Sequence, residues 1–251
     1  MALKQAYEQV KILQNQAVSQ GIYALTVACK REVKAGQFFM LKGFSDRNML
    51  PRPISIYDRT PDTLTFLYAV VGKGTSELAT KKVGDGVDVL GPLGNGFRLP
   101  DPNTPCKIAL VAGGIGIAPF PYLAKAAQAA NRQSKWQIDL YAGFRKTVYG
   151  VAECADYVSQ TFIATNDGSV GQRGFVTDLI TDTYDYVYCC GPTVMMKALQ
   201  QLHLRAKVYL SLENRMACGI GACLACSCVT NLGMRRVCKD GPVFAAEEVC
   251  L

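Results

Sequence analysis

Histidine is almost missing from this chain: there is one, His203, among 251 residues. It falls in the run TVMMKALQQLHLRA, which reads as a helix, so it is expected on a helix surface or at a cap and not at a metal. A Rieske centre, a two-His zinc finger and a His-based catalytic triad are therefore excluded. Clustered charge is lacking too. Lys and Arg number 27 against 20 Asp and Glu, giving +7, but the basic residues run no longer than pairs such as Lys30-Arg31. The phosphate-binding footprint of a nucleic-acid protein should be concentrated, so that class is excluded. The apolar stretch from Ile108 to Ala124 only reaches the short limit of about 17 residues for a membrane span, and glycines and prolines interrupt it. It reads as a buried strand, a loop and a helix. Lys4, Glu8 and Lys11 stand where a signal peptide would need its apolar core, which predicts a cytoplasmic protein. With 49% hydrophobic and 19% charged residues, the chain has enough apolar surface to bury one core or two, and disordered and fibrous classes drop out.

Cysteine, by contrast, is abundant, with 11 residues. Without an export signal, such thiols more often bind metal or do redox chemistry than form structural disulfides. Cys29, Cys106, Cys154, Cys189 and Cys190 are scattered and read as buried small hydrophobes. Cys218, Cys223, Cys226, Cys228 and Cys238 crowd together, with Cys250 just beyond. Cys218, Cys223, Cys226 and Cys238 follow the pattern C-x4-C-x2-C-x11-C, whose first three members have plant-type [2Fe–2S] spacing. Gly219 and Gly221 suit a loop whose amides approach sulfur without a Cβ in the way. Zinc sites favour paired CxxC knuckles, and only Cys223 with Cys226 makes one; zinc or unliganded thiols remain the other readings. Cys228 would point away from the others in an extended segment.

Along the chain, short β-rich runs separated by Gly, Pro and Asp extend to about residue 100 (22–28, 37–41, 54–57, 64–71 and 87–90) and suggest a small antiparallel barrel. After the Pro-rich stretch at 99–105, strands and helices alternate. Strands are expected at 107–112, 137–142, 161–164, 184–190 and 208–212, and helices at 119–130 and 193–203. That alternation predicts a doubly wound parallel sheet. From Glu213 the chain is rich in Gly and Cys and too short for a large core of its own, so something other than hydrophobic burial is expected to hold it. The fold class is thus a β-barrel plus an α/β domain with a small C-terminal domain, divided at 1–103, 104–212 and 213–251.

Three further segments carry chemistry. Pro51-Arg52-Pro53-Ile54-Ser55 is a stiff entry to a strand whose Arg can pair with a pyrophosphate. Val71-Gly72-Lys73-Gly74-Thr75-Ser76 turns into a short helix with amides suited to phosphate. Gly113-Gly114-Ile115-Gly116 and Cys190-Gly191-Pro192 each follow a strand and open a helix, so both loops would line one crevice at the carboxyl ends of the sheet. Pro119 departs from the Rossmann fingerprint. The loop Gly91 to Phe97 reads as a tight turn between domains.

RPISIYD, VAGGIGIAPF with YCCGP, and the cysteine tail stand in the order found in the ferredoxin reductase superfamily. Across essentially the whole chain the sequence resembles the electron-transfer subunits of class 1B dihydroorotate dehydrogenases, most specifically in ENRMACGIGACLACSC and VCKDGPVF. The resemblance implies an FAD barrel, an NAD domain and a [2Fe–2S] domain. It places FAD contacts on Arg52, Pro53, Ile54, Ser55, Leu67, Tyr68, Ala69, Gly74 and Thr75, with Ala69 standing where other members often carry Arg. NAD contacts would fall on Gly113, Gly114, Gly116, Cys190, Gly191 and Pro192, and the cluster ligands would be Cys218, Cys223, Cys226 and Cys238.

These parts are chemically consistent. NAD(H) exchanges two electrons at once and a [2Fe–2S] centre one at a time, so a flavin is needed between them. No proton-abstracting site for an organic substrate is evident. The resemblance implies a partner that oxidises dihydroorotate at FMN in pyrimidine biosynthesis, in a heterotetramer of two copies of each subunit, with electrons passing through the cluster and FAD to NAD. Ala164 to Ser169 offers a carboxylate and no Arg or Lys to a ribose, which favours NAD over NADP, with Arg145 as the competing feature. A reductase subunit of another oxidoreductase such as a hydrogenase, and a zinc-stapled binding protein, are the alternatives.

Overall fold

A computed structural model describes residues 7–43, 50–131 and 135–251; Lys4 lies outside them. The first strands are β1 (Glu8–Ser19), β2 (Ile22–Ala28), β3 (Phe38–Lys42), β4 (Arg52–Arg59) and β5 (Thr63–Ala69). Helix α1 (Lys73–Thr80) and strand β6 (Gly86–Leu93) follow. The described strands close into a barrel in the order β1-β2-β5-β4-β3-β6, antiparallel at every pairing. The antiparallel barrel expected from the sequence is present, and it contains one strand more than expected, β1. Only Val10 and Ile12 of that strand are buried, so its alternation is too weak to mark a strand, and pairing with β2 and β6 makes it one.

Strand β3 explains how the barrel meets the rest of the chain. Its run Phe38-Phe39-Met40-Leu41 is apolar at every position because both faces are covered. Phe39 and Leu41 point into the barrel with Phe66, Ile56 and Leu25, whereas Phe38 and Met40 point outward into a second core. Complete burial of a side chain such as Phe39 stabilises the fold by roughly 1.5–3 kcal/mol.

The middle of the chain forms β7 (Cys106–Gly113), α2 (Phe120–Ala130), β8 (Trp136–Phe144), β9 (Gln160–Thr165) and β10 (Gln172–Arg173). It continues with β11 (Tyr186–Cys190), α3 (Thr193–Gln201) and β12 (Lys207–Ser211). The tail adds the hairpin β13 (Ser227–Thr230) and β14 (Gly233–Arg236), then β15 (Val243–Ala245). The sheet runs β10-β9-β8-β7-β11-β12-β15, parallel except for the last pairing. Helix α2 packs on the face carrying Ile108, Leu110 and Tyr188, and α3 on the face carrying Ala109, Val111 and Val187, so the sheet is doubly wound. Its order reverses between β7 and β11, the point where a crevice opens beyond the strand ends. Helix α3 stops at Gln201, two residues before the expected end, because His203 takes a left-handed φ of 47°; its amide donates to the Gln200 carbonyl as part of the cap.

Barrel and sheet are joined by Phe97, which packs on Phe120 and Tyr188, and by polar contacts around it. Tyr122 donates to the Val33 carbonyl, Tyr188 to the Arg98 carbonyl, and Lys125 pairs with Asp58 at 2.8 Å. The tail corrects one expectation. Hydrophobic burial does hold it: Cys226, Val237, Cys238, Phe244 and Val249 share a core with Phe38, Met40, Leu90 and Leu93 of the barrel and with Leu210 of the sheet. Its small size is offset by borrowing from both neighbours. Among the described residues no helix is long and apolar enough to cross a membrane.

Candidate functional site

A cleft of about 300 Å³ lies where barrel, sheet and tail meet. Strand β4 contributes Arg52, Pro53, Ile54 and Ser55 to its lining, strand β5 contributes Leu67, Tyr68 and Ala69, and α1 contributes Thr75. The sequence had singled out all eight. Gly74 completes that set from behind: a Cβ there would stand 2.8 Å from the Arg52 guanidinium, so glycine lets that side chain lie across the start of α1. Thr75 fixes the turn before the helix, its hydroxyl accepting from the amides of Val71 and Gly72 at 3.0 and 3.2 Å.

The remaining lining was not expected at this cleft. Phe38 arrives from β3; Ile115, Ala118 and Pro119 from the loop after β7; Ser211, Leu212, Glu213, Asn214 and Met216 from the end of β12 and the chain leaving it; and Pro242 from the turn just before β15. Ile115, Ala118 and Pro119 belong to the VAGGIGIAPF run, Glu213, Asn214 and Met216 to ENRMACGIGACLACSC and Pro242 to VCKDGPVF, but only the fold brings these runs to one place. Burial pushes the Glu213 carboxyl above its ordinary range and, together with that carboxylate, pushes the nearby Cys190 thiol up, while the Ser211 hydroxyl works in the opposite direction at Cys190.

The two loops expected to face a nucleotide are adjacent, since β7 and β11 are neighbours in the sheet. Their glycines serve that closeness. A Cβ on Gly113 would sit 2.7 Å from Pro192 and Met195, one on Gly116 would clash with the Cys190 carbonyl, and one on Gly191 would lie 2.9 Å from the Gly113 amide nitrogen. Gly114 differs: its φ is 54° and the nearest atom to an added Cβ is the Tyr149 hydroxyl at 3.9 Å, so its backbone faces open space. Farther along the same edge, Asp167 is held below the usual carboxylate range by hydrogen bonds from Ser169, with a smaller pull from Lys146. The segment itself has no Arg or Lys, as read, but the fold brings Lys146 and Arg173 beside it.

The four spaced thiols converge as two pairs. The Cys223 amide donates to Cys218 Sγ and the Cys238 amide to Cys226 Sγ, both at 3.4 Å, although the second pair is separated by the whole β13–β14 hairpin. Burial works against the Cys218 thiolate, but the amides of Cys223, Ile220 and Ala222 and the Cys223 side chain prevail and draw its pKa down to about 6. Cys238 is pushed up to about 12 by burial and by Cys226, with the Gly221 amide opposing. Left-handed φ values of 71° and 80° at Gly219 and Gly221 turn these amides inward. Cys228 lies next along β13, paired with Arg235, and belongs to neither pair. Among the described residues no three His, Cys, Asp or Glu groups gather as a site for a single ion.

The loop at 91–97, expected as an interdomain turn, also clamps the tail. The Asn95 amide donates to the Gly241 carbonyl at 2.6 Å and its side chain to the Asp240 carbonyl at 2.8 Å. Gly94 permits this, since a Cβ there would stand 2.5 Å from Pro242.

Comparison with known proteins agrees with this layout. A family model of the iron-sulfur cluster binding domain of dihydroorotate dehydrogenase B matches residues 213–250. The chain is 44% identical to the dihydroorotate dehydrogenase B (NAD(+)) electron transfer subunit of Clostridium acetobutylicum, covering 99% of both chains. It is 37% identical to that of Caldanaerobacter subterraneus, covering 96% of this chain and 97% of the relative. Among solved structures, an NADH-dependent reduced ferredoxin-NADP oxidoreductase superposes with a TM-score of 0.82 at 27% identity over 96% of this chain and 89% of the other. The ferredoxin reductase of carbazole 1,9a-dioxygenase shares the fold, with a TM-score of 0.70 at 19% identity over 84% of this chain and 70% of its own. With full-length identity at this level, the chain belongs to the family of dihydroorotate dehydrogenase B electron transfer subunits.

Proposed function

We propose that this chain is the electron-transfer subunit of an NAD-dependent dihydroorotate dehydrogenase, acting between a partner that oxidises dihydroorotate to orotate at FMN and NAD+. The observation that carries the reading is the single cleft lined by barrel, sheet and tail together, in a chain whose tail also joins four spaced thiols in two pairs. When bound, the [2Fe–2S] group supplies one-electron transfer, FAD the exchange between single electrons and a hydride pair, and NAD the hydride acceptor.

Cys218, Cys223, Cys226 and Cys238 would hold the cluster. Their arrangement in two pairs suits a two-iron centre in which each iron takes two thiolates, and the amides at Ile220, Ala222 and Cys223 are already turned toward sulfur. The cleft would take FAD. Its lining is mostly apolar, from Ile54, Leu67, Phe38 and Met216, and Arg52 faces the start of α1 where a pyrophosphate can meet both a guanidinium and helix amides. Tyr68 keeps its ring at the wall because its hydroxyl donates to Asn15. NAD would bind over Gly114, at the crevice formed by Gly113, Gly116, Cys190, Gly191 and Pro192. Residues 1–103, 104–212 and 213–251 would then be the FAD, NAD and cluster domains.

The partner would dock against the tail. Ile220, Leu224, Val229, Leu232 and Met234 expose apolar side chains there, an unusual density for so short a segment. The assembly would contain two copies of each subunit, in the cytoplasm. The purified chain should carry FAD and [2Fe–2S] in equal amounts and reduce dyes with NADH while forming no orotate. A colourless protein holding zinc would contradict the proposal.

A further inference from the structure

One charged group near the thiols is not a ligand and is not exposed at random. Arg236, the last residue of β14, is gripped by Asp240 through three contacts: the carboxylate accepts from the Arg236 backbone amide at 2.8 Å, from Nε at 3.1 Å and from Nη2 at 3.3 Å. So held, the guanidinium donates from Nη1 to the Gly221 carbonyl at 3.3 Å.

That carbonyl belongs to the peptide group joining Gly221 to Ala222. The N–H of the same peptide is one of the amides directed at Cys218, and the Gly221 N–H is directed at Cys238. A cation bonded to a peptide oxygen polarises the peptide and strengthens the donor at its other end. The glycine makes this possible: it has a φ of 80°, and a Cβ there would lie 2.8 Å from Lys239 Cδ and 3.5 Å from Arg236 Nη1. Arg236 also lies close enough to Cys226 and Cys238 to feel their charge. It therefore acts on the thiols twice, directly by its charge and indirectly through the 221–222 peptide.

We propose that Arg236, held by Asp240, is a positioning residue that sets the reduction potential of the centre bound by the four thiols. This rests on the reading of those thiols as a [2Fe–2S] site. Reduction adds one negative charge to such a centre, and a nearby cation and stronger N–H donors both stabilise the reduced form. Asp240 supplies the opposing charge and at the same time fixes where the cation stands, so charge and geometry are set by one pair.

The test is an EPR-monitored redox titration of the full chain carrying its cofactors. Arg236→Gln should shift the cluster midpoint to a more negative value. Asp240→Asn, which keeps the shape of the side chain and removes its charge, should shift it to a more positive one. Opposite shifts are what an electrostatic role requires; a merely structural role would move both variants the same way. Shifts of equal sign, or unchanged midpoints in both variants with the cluster intact, would overturn the proposal. If Arg236→Gln holds no cluster, the Asp240→Asn midpoint decides alone: a positive shift supports the role and an unchanged or negative one overturns it. A wild-type chain without a [2Fe–2S] signal would overturn the ligand reading beneath it instead.

Discussion

The two glycine-rich regions of this molecule use the same residue for different physical ends. In the sheet, Gly113, Gly116 and Gly191 let two loops pack closely where β7 and β11 end: an added methyl would meet main chain of Cys190 and Gly191 at Gly116, Met195 and the Gly113 main chain at Gly191, and the Pro192 ring and Met195 at Gly113. In the tail, Gly219 and Gly221 adopt left-handed φ values that turn amides toward sulfur, and an added methyl would meet the flexible side chains of Met40 and Lys239. The first region is shaped by packing that exists without any bound group. The second is shaped around sulfur. Loss of a glycine in the first should therefore be felt as lost stability, and in the second as lost cluster.

The largest effect expected is all-or-none. Serine in place of Cys218, Cys223, Cys226 or Cys238 should abolish the EPR signal of the reduced protein while FAD stays bound, because the cleft lining contains none of these thiols. Cys228→Ser should keep the signal. Loss at Cys228 with retention at Cys238 would replace the ligand set and break the pairing on which the comparison rests.

Next comes Gly116→Ala. Overpacking against the Cys190 carbonyl should cost about 1–3 kcal/mol or more, and each kcal/mol lowers Tm by roughly 2–4 °C for a chain of this size. Thermal melting checks it; an unchanged Tm would show that the loops can separate and that packing is not what the glycine serves. Gly219→Ala sharpens the contrast. A left-handed alanine costs about 1–2 kcal/mol locally, and Met40 has rotamers with which to yield, so iron content should fall more than Tm does. Equal losses of iron and of FAD would erase the distinction between the regions.

The smallest effect concerns the joint between barrel and sheet. Lys125 and Asp58 are about equally exposed, at 37% and 38%, so Lys125→Ala should cost no more than about 1 kcal/mol by chemical denaturation. A larger loss would mean that polar contacts, and not Phe97 between Phe120 and Tyr188, hold the two units together.

How much of this was legible in the sequence follows the same division. Motif residues that are neighbours in the chain were readable as groups: Arg52 to Ser55 and Thr75 share one cleft, the two glycine loops lie side by side, and the thiols at fixed spacing join in two pairs. Residues that reach the cleft by folding back were not. Glu213 and Pro242 stand far apart in the tail, and Phe38 looks like one more core residue until β3 is seen to be buried on both faces. Strand β1 escaped because its outer face is polar over most of its length. The tail looks too small for a core because its partners, Met40 and Leu93 in the barrel and Leu210 in the sheet, are far away in sequence.

The most direct test of the account is anaerobic reconstitution with the proposed FMN-containing partner. Orotate and NADH would be measured for the chain alone, for the pair, and for a pair in which Cys226→Ser has removed the cluster. The account predicts no orotate from the chain alone, equal amounts of orotate and NADH from the pair, and loss of NADH formation without the cluster. Orotate formed by the chain alone, or NAD+ reduced equally fast by the cluster-free pair, would contradict it.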